Sequence, residues 1–244
     1  DLFFKVHSDL PREGPGSDTS TLRALEIARP HLPTSPVIVD MACGPGAQTC
    51  ALAGALEDAR IMAIDLHEPF LGQLRDRLAS ITTNSEVEII HGDMTTWAPD
   101  DPVDMVWCEG AAYIMGVGEA LRRWHAWLPT GGIVALSEAV WLTDNPHPEA
   151  ASMWEEYPSM GDIEACEALF RSHGFEPIDH FVLPISDWLD AYYAPMEKRL
   201  DALREQHAGD KNALAELAIH QREIDVCREH GEDYSYAFII ARKV

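Results

Sequence analysis

Short apolar runs rich in β-branched residues alternate with helical segments along this chain, and that alternation limits its fold more than any other feature. The run 36–41 (PVIVDM) reads as a buried strand, and the runs 60–65, 86–91, 103–108 and 132–137 repeat it. Helical patterns fall between them, over about 47–57, over about 68–80, and through Leu121 to Leu128. A parallel neighbour needs a crossover connection, so strands spaced by helices predict a parallel sheet in an α/β, doubly wound fold. After residue 137 the pattern changes. An amphipathic helix over 163–173 ends at Gly174, a sixth strand follows over 175–183, and a seventh closes the chain at 234–241. Between these last strands lies a charged helical stretch, about 187–230, with a break near Ala208-Gly209-Asp210. It is too long for an ordinary connection, and reads as a lid or as an assembly surface that could pair two chains in a homodimer.

Residues 1–35 stand apart from this alternation. Pro11 to Asp18 form a Pro/Gly-rich loop that ends at a helix N-cap, Ser17 or Asp18, before the helical run Thr21 to Ala28. We read 1–35 as a loop and helix that could gate a site, and 36–244 as one domain carrying the helical insertion. Charge narrows the partners. Lys and Arg number 18 against 41 Asp and Glu, a net charge of -23, and no basic stripe offsets it, which argues against a nucleic-acid substrate. No run of 18 apolar residues suggests a membrane span, and the first residues lack the basic and apolar regions of a secretory signal. The five cysteines, Cys43, Cys50, Cys108, Cys166 and Cys227, form no Cys-x-x-Cys pair. A cytoplasmic setting is therefore expected, with the thiols as small buried groups. No His-x₃-His or His/carboxylate spacing predicts a metal.

The chemistry-bearing segment is Val39 to Thr49, VDMACGPGAQT, between the first strand and the next helix. Gly44 and Gly46 let the backbone turn tightly and approach a ligand, at which the following helix aims its free N–H groups. Asp40 ends the strand where it could accept from a cationic amino group. Asp65, ending the second strand, can accept from two ribose hydroxyls. Strand, Gly-x-Gly, helix, strand and acid together point to a nucleoside-containing cofactor. A dinucleotide would want a small residue where Thr49 stands, and its diphosphate would be repelled by Asp40.

These residues resemble motif I of the class I S-adenosylmethionine-dependent methyltransferases, with Asp40, Ala42, Gly44 and Gly46 at the motif positions, Cys43 inside the turn, and Ala42 departing by one methyl group. Asp65 and Leu66 resemble the ribose-binding acid and its neighbour. Gly92-Asp93-Met94 resembles the adenine clamp, and Leu128-Pro129-Thr130-Gly131-Gly132 the turn into the fifth strand. The resemblance spans about 36–140. Pro11 to Ser17 together with Trp107 to Tyr113 look like an uncharacterised bacterial small-molecule subfamily. What it implies is a seven-stranded, mostly parallel sheet with an antiparallel last strand. It also implies S-adenosylmethionine as cofactor, with S-adenosylhomocysteine as product, and in-line transfer to a small-molecule acceptor.

For the acceptor side, Glu109 at the end of the fourth strand is the first candidate for a base or acceptor contact, the alternative being a loop acid that partners a polar group of the cofactor. Tyr113 could position an acceptor. Trp141, Trp188 and Tyr192 could wall its pocket, Trp188 and Tyr192 lying on one helical face, or could simply be core. His7, His125 and His147 are conceivable bases. The 11–17 loop is a candidate gate, with Arg12 available to the methionine carboxylate. Rival readings keep the nucleoside site but change its use: an NAD-dependent oxidoreductase, aminopropyl transfer, a protein methyltransferase, or a non-catalytic sensor or assembly subunit.

Overall fold

Seven strands form one sheet in the computed structural model, which describes residues 2–244: β1 Val37–Met41, β2 Arg60–Asp65, β3 Glu86–His91, β4 Met105–Glu109, β5 Ile133–Trp141, β6 Phe175–Val182 and β7 Tyr234–Lys243. Their order is β3-β2-β1-β4-β5-β7-β6. The first five pair in parallel, and β7 lies antiparallel between β5 and β6. The chain therefore builds outward from β1 to β3, returns, and builds the other way from β4. Between β1 and β4 the order reverses, and the carboxyl ends of the strands there leave a crevice where α/β sheets bind ligands.

Both faces of the sheet are covered, which is why its central strands are apolar on both sides. One core layer gathers Ile38, Leu52, Ile61, Trp107 and Phe238; the other holds Val39, Met41, Val106, Trp124 and Phe170. Helices α2 Asp18–Ala28 and α3 Ala47–Ala55 pack on the first side, and α5 Val117–Trp127 and α7 Ile163–Ser172 on the second. Ser17 caps α2, its hydroxyl accepting from Ser20 N.

Two helices were not legible, α1 Leu2–His7 and α6 Pro148–Met153; each has six residues, too few to show a period. The fifth strand runs four residues past its expected end because it pairs along its length with β7, from Ile133↔Arg242 to Trp141↔Tyr234. The insertion is α8 Ile185–Trp188, a π-helical turn Leu189–Tyr193, α9 Ala194–Gln206 and α10 Lys211–His230. Asp210 caps α10, its Oδ1 accepting from the N–H groups of Asn212 and Ala213. Helix α10 packs on α1, α6 and α9. Among the described residues no helix is long and apolar enough to cross a membrane.

The junction from β1 to α3 depends on Gly46. Its φ of +84° is left-handed, and a Cβ there would stand 2.2 Å from Leu74 Cδ1 on helix α4 Glu68–Ser80. Gly46→Ala should destabilise the fold by about 2–4 kcal/mol, the sum of left-handed strain and overpacking against a buried leucine, measurable by urea unfolding.

Candidate active site

The β1–α3 turn is held from both sides by carboxylates. Asp40 is fully buried; Thr49 Oγ1 donates to it at 2.5 Å and Gln48 Nε2 at 3.5 Å. Strand alternation puts residue 40 on the α3 face, so its carboxyl ties the strand to the first turn of the helix behind the cavity. Asp40, read from the sequence as a partner for a cationic amino group, here accepts from two side chains of that helix. Burial pushes its carboxyl up to about 7; the Thr49 hydroxyl opposes this and the charge of Glu109 adds to it. Asp65 works from the other side, accepting from Gly44 N and from His67 N, both at 2.8 Å. Cys43 is buried, with its N–H on Ile64 O. Ala42 and Gly44 both have φ of +55°. The alanine thus adopts the left-handed backbone that glycine adopts freely.

Above this turn lies a cavity of about 270 Å³. Its floor is Ala42, Cys43 and Gly44; Asp65 and Asp93 stand along one side; Ile64, Phe70 and Met94 supply apolar wall, with Leu66 exposed at the mouth. Asp93 Oδ1 accepts from the N–H and hydroxyl of Thr95, bonds that hold its carboxyl below the usual range. Among the charged residues lining this cavity, Glu13, Asp65, Asp93 and Glu109 oppose the single cation Arg12.

Arg12 and Glu109 face each other. Arg12 Nη1 donates to Glu109 Oε2 at 2.8 Å, and its Nη2 donates to Asp18 Oδ1 at 2.8 Å and to Thr21 Oγ1 at 3.3 Å. Glu109 Oε1 accepts from Thr21 Oγ1 at 2.7 Å and Trp107 Nε1 at 3.0 Å. The two side chains are only 7% and 9% exposed, so the pair is a buried clamp between the N-terminal loop and the end of β4. Glu109 is thereby occupied as a strut, and the charge of Arg12 is balanced without a ligand carboxylate. The far end of the loop is tied to α8, where Ser20 Oγ donates to Asp187 Oδ2 at 2.5 Å and Gly16 N to Asp187 O at 3.3 Å.

A second cavity of about 610 Å³ opens on the other side of that loop. Glu13, Gly14, Pro15, Gly110 and Tyr113 line both spaces and form their common wall. Trp188, Tyr192 and Tyr193 of the insertion face the second cavity, together with Trp154 and Tyr236. Trp188 is nearly all core, packed edge-on to Tyr234 and Tyr236 with its Nε1 on Ser235 Oγ at 3.0 Å. Trp141 is in neither cavity. The longer β5 carries it to a cleft with Leu142, Asp144 and Asp162. Of the histidines, His7 Nδ1 is 2.9 Å from Glu13 Oε2; His147 stacks on His230; His125 packs on Phe175. Sequence reasoning had not singled out Glu13, Trp154, Glu223 or Tyr236. Glu13 stood inside the loop read as a gate, but nothing in the spacing of the others placed them there. Glu149, Glu229 and His230 also converge at the surface within 4.8 Å, from positions too far apart in sequence for any spacing rule.

With this geometry in place, residues 38–132 match the methyltransferase domain family. Over that stretch the chain resembles a methyltransferase domain. It resembles the trans-aconitate 2-methyltransferase of Variovorax paradoxus, 32% identical over 122 residues, a match covering 49% of the chain and 45% of that relative. The one from Methylobacterium radiotolerans is 26% identical over 190 residues, covering 73% and 70%. The chain thus spans less than half the length of the Variovorax relative. In fold, the domain superposes on a SAM-dependent methyltransferase from Geobacter sulfurreducens, in complex with S-adenosyl-L-homocysteine, at a TM-score of 0.86 and 20% identity, covering 100% of this chain and 98% of that one. The corresponding Thiobacillus denitrificans structure gives 0.86 and 21%, with the same coverage.

Two stability predictions follow from the turn. Ala42→Gly should stabilise the domain by roughly 1 kcal/mol, because glycine has no left-handed strain to relieve; urea unfolding measures it. Asp40 binds its proton more tightly folded than unfolded, so its contribution to stability falls as pH rises from its ordinary 3.8 towards about 7. Asp40→Asn should remove that slope, and its melting temperature should gain on the wild type between pH 5 and pH 8.

Proposed function

We propose that the domain transfers a methyl group from S-adenosylmethionine to a small-molecule acceptor, leaving S-adenosylhomocysteine. The observation that carries this reading is the pair of cavities with one common wall: a nucleoside-sized space over a glycine turn, and an aromatic space beside it. The residues of the first cavity fit the cofactor. Asp65 spends one backbone bond on each oxygen, which leaves acceptor capacity for ribose hydroxyls. Leu66 and Met94 would pack on the adenine, Asp93 Oδ2 would accept from its exocyclic amine, and Gly44 and Cys43 offer a floor free of bulky groups. The acidic lining suits a sulfonium and opposes a diphosphate, which weighs against an NAD-dependent oxidoreductase. The open second cavity weighs against a sensor, which needs no acceptor space.

When bound, the cofactor supplies an electrophilic methyl group on a good leaving thioether. The protein's work is then alignment and exclusion of water. Glu13, Gly14 and Pro15 line both cavities, the Arg12–Glu109 clamp fastens them there, and this arrangement supports reading the 11–17 loop as a gate. Tyr113 stands in the common wall; burial raises its hydroxyl above the usual value, so it stays protonated and can orient an acceptor by donating. The trans-aconitate 2-methyltransferase relatives support an acceptor of small-molecule size.

Titration calorimetry with S-adenosylmethionine, S-adenosylhomocysteine and NAD tests the reading. Both sulfur nucleosides should bind and NAD should not. Asp65→Asn should weaken them by about 10- to 150-fold, the loss of roughly 1.5–3 kcal/mol of charge-assisted hydrogen bonding. Preferential binding of NAD, or no binding of either sulfur nucleoside, contradicts it.

A further inference from the structure

The walls of the second cavity are chemically one-sided. Its charged residues are Glu13, Glu155, Glu156 and Glu223 against a single cation, Arg222. Glu155, Glu156 and Arg222 are exposed at the rim, whereas Glu13 and Glu223 are half-buried. The rest of the lining is dominated by aromatic rings: Tyr192, Tyr193, Tyr236 and Trp188 are buried, Trp154 is half-buried, and Tyr113 is exposed at the mouth. Aromatic faces attract a cation through their quadrupole, and nearby carboxylates neutralise it. An anionic acceptor would meet four carboxylates and no buried positive charge.

Glu13 stands where the two cavities meet. A Cβ on Gly44 would lie 3.5 Å from Glu13 Cγ, so the side chain rises directly over the glycine turn of the first cavity while also facing the second. Its Oε2 is engaged by His7 Nδ1 at 2.9 Å, and its Oε1 is buried with no hydrogen-bond partner. An unpartnered carboxylate oxygen in a low-dielectric wall is costly unless a ligand satisfies it. Burial also raises the Glu13 carboxyl above its ordinary value, with His7 opposing and Asp65 adding to the rise. That makes it a stronger proton acceptor than an exposed glutamate. Deeper in the cavity, Glu223 accepts from Tyr193 Oη at 2.8 Å and presents its remaining capacity to the same space.

Building on the methyl-transfer reading, we propose that the acceptor is an organic amine with an apolar body, held by the aromatic walls, Glu223 and Glu13, and that Glu13 receives the proton its nitrogen gives up. The deprotonated nitrogen forms the new N–CH₃ bond with its lone pair. The S–CH₃ bond breaks with its electron pair returning to sulfur, so the positive charge passes from sulfonium to ammonium and the donor leaves as a neutral thioether. The proton lost from nitrogen rests on Glu13, where His7 braces the other oxygen. This departs from the curated relatives, whose names specify trans-aconitate, a tricarboxylate.

The test is a competition of matched probes on the S-adenosylhomocysteine-saturated protein. Calorimetry would compare phenethylamine, tyramine and hexylamine with 3-phenylpropanoate, 3-(4-hydroxyphenyl)propanoate and heptanoate, and with trans-aconitate. At least one amine should bind ten times or more tightly than its carboxylate partner, and trans-aconitate should not bind. Glu223→Gln should cut that amine's affinity about tenfold and leave S-adenosylhomocysteine affinity unchanged within a factor of two. Glu13→Gln should lower the single-turnover rate of amine methylation at least a hundredfold at saturating amine. Amines that never outbind their carboxylate partners, preferred binding of trans-aconitate, or full turnover in Glu13→Gln overturns the proposal. Failure of S-adenosylhomocysteine to bind at all would instead strike the methyl-transfer reading, and the amine preference could still be read on the free protein.

Discussion

The buried ion pair of Arg12 and Glu109 is what gives this domain two cavities rather than one open crevice. A parallel sheet with its order reversing between β1 and β4 leaves a groove at the strand ends whatever lies above it. Here Glu109, the last residue of β4, reaches up to Arg12, and Thr21 and Trp107 complete the hydrogen bonds around the carboxylate. A pair this buried is tolerated only when its remaining donors and acceptors are satisfied, which Asp18 and Thr21 do for the guanidinium. The loop fastened in this way carries Glu13, Gly14 and Pro15 across the groove and divides it.

A second constraint acts beneath the groove. The glycine turn must bend sharply while leaving its upper surface clear for a ligand, and side chains there would fill it. The holding groups are therefore placed behind and beside it: Asp40 binds the start of α3 from below, and Asp65 binds Gly44 and His67 from the flank. The cost is a buried carboxyl at Asp40 whose charge is disfavoured, behind a cavity already lined by acids. That accumulated negative potential favours a positively charged ligand over an anionic one on both sides of the dividing loop.

The parts of this arrangement that were legible in sequence are those encoded locally. The strand, Gly-x-Gly, helix and terminal acid sit within 30 residues, so the glycine turn and the acid beside it could be read from spacing. Asp40 was placed at the right turn, but its bonds to α3 were not foreseen, because a motif gives position along the chain and strand alternation decides the face. Glu109 illustrates a different limit. Its partner is 97 residues away, in a loop whose composition shows only that it bends. The acceptor side was the least legible. Trp141 was misplaced because its strand runs on against β7. Glu223 and Tyr236 reach the cavity only through the packing of α10 and β7, and a π-helical turn at Leu189–Tyr193 resets which insertion residues share a face.

All of these pieces meet at the common wall of Glu13, Gly14, Pro15, Gly110 and Tyr113, where a group leaving one cavity would enter the other. The most direct measurement is the crystal structure of the chain grown with S-adenosylhomocysteine. The account predicts the ribose against Asp65, the adenine between Leu66 and Met94, and the sulfur turned to the wall with Glu13 and Tyr113 as its neighbours. Electron density placing the sulfur away from that wall, or the nucleoside in the aromatic cavity, would contradict it.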